Sequence, residues 1–118
     1  MYREFLTPED EEVYEALGEW PDSDEDGVRT VTLQDASGQS LVFSYDVLSR
    51  SVRVRWVNEQ GMELTDVYRE GATRLSVSGS GGGAGAHISV DFHMGECAGA
   101  MDIQVTPALS VRDRLLFQ

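Results

Sequence analysis

Asp22, Asp24 and Asp26 occupy alternate positions ahead of Gly27, which is how an EF-hand calcium loop begins. Read that way, the three carboxylates supply oxygens at the first, third and fifth loop positions. Gly27 permits the sharp turn, and Val28 offers its carbonyl at the seventh. The twelfth position, where a bidentate Glu should close the shell, is Leu33, and Arg29 takes the eighth, where an apolar residue is expected. The competing reading is an exposed acidic turn, for which Asp and Gly are favoured by local hydrogen bonding and by tolerance of positive φ. Calcium is the one cofactor this pattern raises; no other is expected.

Ser89, Asp91 and His93 share one face of a single predicted strand and so supply, in name, the members of a hydrolytic triad. Same-face neighbours on a strand are ~7 Å apart, which puts Ser89 ~13 Å from His93 and leaves only Asp91 and His93 able to touch. The same arithmetic separates His87 from His93 by ~20 Å, too far to chelate one ion. An enzyme using Asp91 and His93 would need a nucleophile from elsewhere, and the chain supplies no complete constellation. Cys97, the single cysteine, forms no intramolecular disulfide and no cysteine-based zinc site. It lies in MGECAGA, read as a small-residue loop, where the adjacent Glu96 disfavours a reactive thiolate.

The run SGSGGGAGAH, residues 78 to 87, lacks the Lys-Ser/Thr ending of a phosphate-binding loop and leads into a strand where a nucleotide fingerprint would open a helix. It reads as a loop between two strands, with weak order expected at its tip because fixing glycine costs much chain entropy. Arg50, Arg53 and Arg55 form the one basic cluster, and alternation sets Arg53 and Arg55 on one face. They fit an anion site, or ion pairs with acidic residues elsewhere in the chain.

The elements that must hold these residues follow from periodicity. Thr7 suits a helix cap and Pro8 a first helical position, and acids at 9 to 12 favour the helix dipole. Val13, Leu17 and Trp20 then form an apolar stripe at i, i+4 and i+7, with Glu11, Glu12, Glu15 and Glu19 on the remaining faces, and Pro21 ends the helix. From Val28 the period changes to two. β-rich runs occupy 28–34, 40–47, 51–57, 62–68, 73–78, 86–94 and 101–105, separated by turn residues. One face collects Leu41, Phe43, Tyr45, Val47, Val52, Val54, Trp56, Ile88, Val90, Phe92 and Met94 as the expected core. The other carries Arg53, Arg55, His87, Asp91 and His93, where a ligand would be read. After Thr106-Pro107 the segment to residue 118 reads as a short helix, with a terminal strand as the alternative. Its Leu115, Leu116 and Phe117 are expected to dock.

The charge is localised. Residues 1–27 hold eleven Asp and Glu against Arg3, a net of −10, whereas residues 28–118 hold ten acids against eight arginines, a net of −2. Such a surface repels phosphate and anionic lipid, which argues against nucleic-acid and membrane partners and favours a basic protein. No apolar run approaches the ~20 residues of a membrane helix, and the opening MYREFLTPEDEE turns acidic where a signal peptide would turn apolar. With a free thiol, these features lead to an expectation of a cytoplasmic protein.

These observations point to an α+β fold in one domain, residues 1–118. It comprises an acidic helix and turn over 1–27, a β-rich body over 28–105 and a C-terminal segment over 106–118. The helix is expected to pack on a twisted antiparallel meander of six or seven strands in one sheet, a small barrel or sandwich being the alternative. The function expected is non-catalytic binding. Glu12, Glu15, Glu19, Asp22, Asp24 and Asp26 would engage a basic partner protein, a use that small acidic bacterial immunity proteins and antitoxins exemplify by analogy. A small-molecule- or calcium-binding β domain is the alternative, and pairing of an edge strand with a second copy is left open.

Overall fold

The computed structural model describes residues 4–81, 85–106 and 108–117, with residues 116 and 117 as backbone alone. These form α1 (Asp10–Leu17) and nine strands: β1 (Asp22–Ser23), β2 (Arg29–Gln34), β3 (Ser40–Asp46), β4 (Ser51–Val57), β5 (Glu63–Glu70), β6 (Ala72–Ser78), β7 (His87–Met94), β8 (Cys97–Gln104) and β9 (Ser110–Phe117). This overturns the expected single sheet of six or seven strands with a helix packed on it, because the strands number nine among the described residues and fall into two sheets. β1 to β5 make one five-stranded antiparallel sheet, β6 to β9 a separate four-stranded one, both in sequence order, and neither closes into a barrel. The described residues are therefore mostly β, with one short helix among them.

The division occurs at Gly71, between β5 and β6, where φ is +83°. Ala72 N–H donates to Arg50 O (3.0 Å) in the first sheet, while His93 N–H donates to Gly71 O (2.9 Å) from the second. A side chain here would lie 3.1–3.3 Å from Met94 and the His93 carbonyl, so the crossing is both left-handed and crowded, and glycine meets both demands. Each sheet then turns one face to a shared cluster that includes Leu41, Phe43, Tyr45, Val54, Ile88, Val90, Met101 and Ile103. Full burial of each large apolar side chain contributes ~1.5–3 kcal/mol. Alternation placed most of these correctly, with two corrections. Val47 lies in the β3–β4 turn and Met94 at the end of β7, and both are exposed, while Trp56 sits half-buried at the rim.

The C-terminal segment is a strand, not a helix: β9 pairs with β8 over its whole length, from Gln104↔Ser110 to Cys97↔Phe117. Leu115 remains exposed, contrary to the expected docking, while the side chains of Leu116 and Phe117 lie outside those described. Nor is MGECAGA a loop, because Gly95 and Glu96 make a tight turn and Cys97 already pairs with Met94.

The helix is shorter than its sequence pattern. Leu6 N–H donates to Thr73 O (2.9 Å) and Leu6 O accepts from Leu75 N–H (2.8 Å), which commits Leu6 to extended backbone along β6. Glu9 therefore takes the N-cap in place of Thr7, its N–H donating to Glu12 Oε1. Val13, Ala16 and Leu17 are buried, and Gly18 in the left-handed region ends the helix. Trp20 thus falls beyond the helix and is 55% exposed, correcting its place in the stripe.

Three contacts fasten helix and sheets together. Gly81 N–H donates to Glu15 O (2.7 Å), and Gly79 lies so close that a Cβ there would be 2.6 Å from Ala16 O. The first glycines of the run thus satisfy and pack the helix C-terminus, while its tip at 82–84, where weak order was expected, lies outside the described residues. Arg29 Nε donates to Asp10 Oδ1 (2.7 Å), tying β2 to the helix. Arg69 crosses from the first sheet to the second, its guanidinium 4.3 Å from the Phe92 ring centre while it donates to Asp113.

Tyr45, 2% exposed, points into this interior, and its hydroxyl has no hydrogen-bond partner among the described residues. Burial pushes the phenol up to about 12, helped by nearby Asp10 and opposed by Arg29. Because this lies above the ordinary value of about 10, the neutral phenol's contribution is complete below pH ~10 and is lost as pH rises toward ~12. Tyr45→Phe is expected to flatten that alkaline loss and, by removing an unpaired buried hydroxyl, to gain up to about 1 kcal/mol at neutral pH. Denaturant unfolding from neutral to alkaline pH checks both. Gly79→Ala, by contrast, should cost about 2–4 kcal/mol, read as a lowered melting midpoint, because both space and φ (+139°) oppose a side chain.

Candidate functional site

Asp24 opens a turn whose chemistry is entirely internal. Its Oδ1 accepts from the N–H groups of Asp26 (2.9 Å) and Val28 (3.0 Å), and its carbonyl accepts from Gly27 N–H (3.1 Å). The same turn is built twice more. Asp35 Oδ1 accepts from Ser37 and Gln39 N–H with Gly38 closing, and Asn58 Oδ1 accepts from Gln60 and Met62 N–H with Gly61 closing. The three glycines share φ of +84°, +90° and +84°. DEDG, DASG and NEQG are thus one hairpin device, Asx-x-x-Gly, used for three antiparallel connections. That Asn58 performs the same task shows that the turn needs no carboxylate. Asp22 meanwhile belongs to β1, paired with Thr30. Among the described residues no group of three or more His, Cys, Asp or Glu side chains converges to hold a metal ion.

The expected ligand face is divided by the two sheets. Arg53 and Arg55 lie on the outside of the first and are engaged across strands with β5. Arg53 makes a two-pronged pair with Asp66 (2.9 and 2.6 Å), and Arg55 Nε donates to Glu63 (3.1 Å). The Arg53 guanidinium holds the Asp66 carboxyl below the usual carboxylate range. Outside this cluster, Arg29 reaches the acidic segment by pairing with Asp10. Beside Arg53 a concavity of about 520 Å³ opens over β3 and β4, bordered by Ser44, Ser49, Ser51 and Tyr68.

His87, Asp91 and His93 lie on the outside of the second sheet. There the focus is Asp102, which the sequence reading missed. It accepts from Ser89 Oγ (3.2 Å) and Arg114 Nη2 (3.1 Å), with His87 Nε2 at 3.7 Å. Strand register brings Asp102 opposite Ser89, a pairing visible only once the β7–β8 hairpin is known. This is not a nucleophile with its base, because the serine bonds the carboxylate directly and no histidine stands between them. Asp91 is exposed on the same outer surface.

The acidic segment is the site with the most unspent charge. Glu12, Glu15, Glu19, Asp22, Asp24 and Asp26 are all exposed; of the eleven carboxylates before Gly27, ten are exposed and Asp10 is half-buried against Arg29. Tyr14 and Trp20 pack on each other within it, ring centres 5.5 Å apart and tilted by 55°. No helix of the described residues is long and apolar enough to cross a membrane.

No protein-family model matches the chain, and no curated relative matches it in sequence. In fold it is similar to a chain from a solved contact-dependent growth inhibition toxin–immunity protein complex from Klebsiella pneumoniae 342. The TM-score is 0.80 at 17% identity, over 95% of this chain and 97% of that one.

Two measurements follow from the turn geometry. Asp24→Asn should hold the melting midpoint within the equivalent of about 0.5 kcal/mol, since Asn58 already fills the same role. Millimolar calcium should leave the midpoint unmoved, whereas a rise would mark a bound ion, because a ligand of the native state stabilises by mass action.

Proposed function

We propose that the chain is a non-catalytic binding protein whose acidic helix and turn engage a basic partner protein, as an immunity protein or antitoxin in the cytoplasm would. The observation that carries this reading is the placement of charge. Residues 1–27 carry a net charge of −10 with ten of their eleven carboxylates exposed, whereas residues 28–118 carry −2. Charge held in this way steers a cationic partner and raises its association rate more than its final affinity. The fold supports the same reading, since its structural neighbour belongs to a toxin–immunity complex. Glu12, Glu15, Glu19, Asp22, Asp24 and Asp26 are the proposed contact residues. A small ligand in the concavity beside Arg53 is the second reading, favoured by its volume of about 520 Å³ but opposed by the engagement of Arg53 with Asp66.

The test is binding kinetics against each protein encoded beside this one in its genome. Association with the true partner should slow about ten-fold or more between ~50 and ~300 mM salt. Combining Glu12→Gln, Glu15→Gln, Glu19→Gln and Asp24→Asn should produce a comparable slowing at low salt with the melting midpoint retained. A partner whose association ignores both salt and these four changes sinks the proposal.

A further inference from the structure

Trp20 and Tyr14 are 55% and 49% exposed, although tryptophan and tyrosine are residues a fold gains most by covering. They are not loose. Their rings lie against each other, Gly18 ends the helix between them, and Pro21, buried, fixes the chain just after Trp20. Contact with a partner would therefore cover a large ring area while immobilising few additional torsions, the property that makes such pairs binding anchors. We infer that the Tyr14–Trp20 pair is the anchor of the docking surface and that it receives an arginine side chain of a basic partner protein. This rests on the reading that the acidic segment engages such a partner.

Charge complementarity selects the occupant. The rings are set in a segment of net −10, with Glu15 and Glu19 next to them in sequence and both exposed. A second copy of this chain would bring the same negative segment, and nucleic acid or an anionic lipid surface would add like charge. A neutral apolar partner would strip water from Glu15 and Glu19 without replacing it. A cation avoids all three penalties. Between the two basic side chains, guanidinium is the more weakly hydrated, lies flat on an aromatic face and can still reach a carboxylate with its remaining donors. The same stacking already occurs inside this protein, where Arg69 lies over Phe92.

The experiment compares hexa-arginine and hexa-lysine peptides by calorimetric titration at low salt and at ~300 mM salt, against the native protein and Tyr14→Ala, Trp20→Ala and Trp20→Phe. The arginine peptide should bind about three- to five-fold more tightly than the lysine peptide, the ratio surviving the higher salt while both affinities fall. Trp20→Ala and Tyr14→Ala should each reduce that ratio toward one by weakening the arginine peptide more than the lysine peptide, with the melting midpoint retained, and Trp20→Phe should keep most of it. Equal binding of both peptides by every variant overturns the anchor while leaving the acidic reading in place. Failure of both peptides to bind the native protein at low salt overturns both readings.

Discussion

A meander with one apolar face can bury that face only by folding it back upon itself, and the whole architecture depends on where it does so. The turn-back is at Gly71, where a left-handed φ and a crowded Cβ position coincide in one residue. Once the chain crosses there, two sheets share a single core, both outer faces are committed to water, and the open rims must be closed by side chains. Arg69 closes one rim by lying over Phe92 and reaching Asp113, and Arg29 closes another by reaching Asp10 of the helix. Gly99 belongs to the same solution, since a Cβ there would sit 2.4 Å from Arg114 O and 3.3 Å from Arg69 Nη2.

Much of this was legible in the sequence, and what was not has identifiable causes. The seven β-rich runs all became strands, because period-two alternation such as Leu41, Phe43, Tyr45 reports burial directly. Alternation says nothing about which strands share a sheet, so the crossing at Gly71, one glycine among twelve, carried no signal of its own. The helix start was misplaced because Thr7 and Pro8 satisfy local rules that the pairing of Leu6 with β6 overrides. Residues 110–117 hold too few apolar positions to separate periods of two and 3.6, and the partner strand β8 decided the matter.

The candidate site was legible in its charge and obscure in its geometry. Eleven acids before Gly27 are a fact of composition, but that Asp24 belongs to a thrice-used turn could be seen only by comparing DEDG with DASG and NEQG. Trp20 was the costlier error. A helical stripe drew it into the core, whereas the left-handed Gly18 ends the helix first and delivers the ring to the surface beside Tyr14. The exposed aromatic pair thus comes from that early termination, while the acidity around it comes from composition.

That helix is only eight residues long, well below the ~12–15 at which an isolated helix becomes even marginal in water. It persists because Gly81 takes the carbonyl of Glu15, Gly79 abuts Ala16, and Val13 and Leu17 sink into the core between sheets. The sheets therefore act as a template for the surface that meets the outside. An excised peptide spanning the first 27 residues would keep every charge and lose the shape. Any protein that grips the helix holds a part that exists only in the folded state, so its hold is felt throughout the domain as resistance to unfolding.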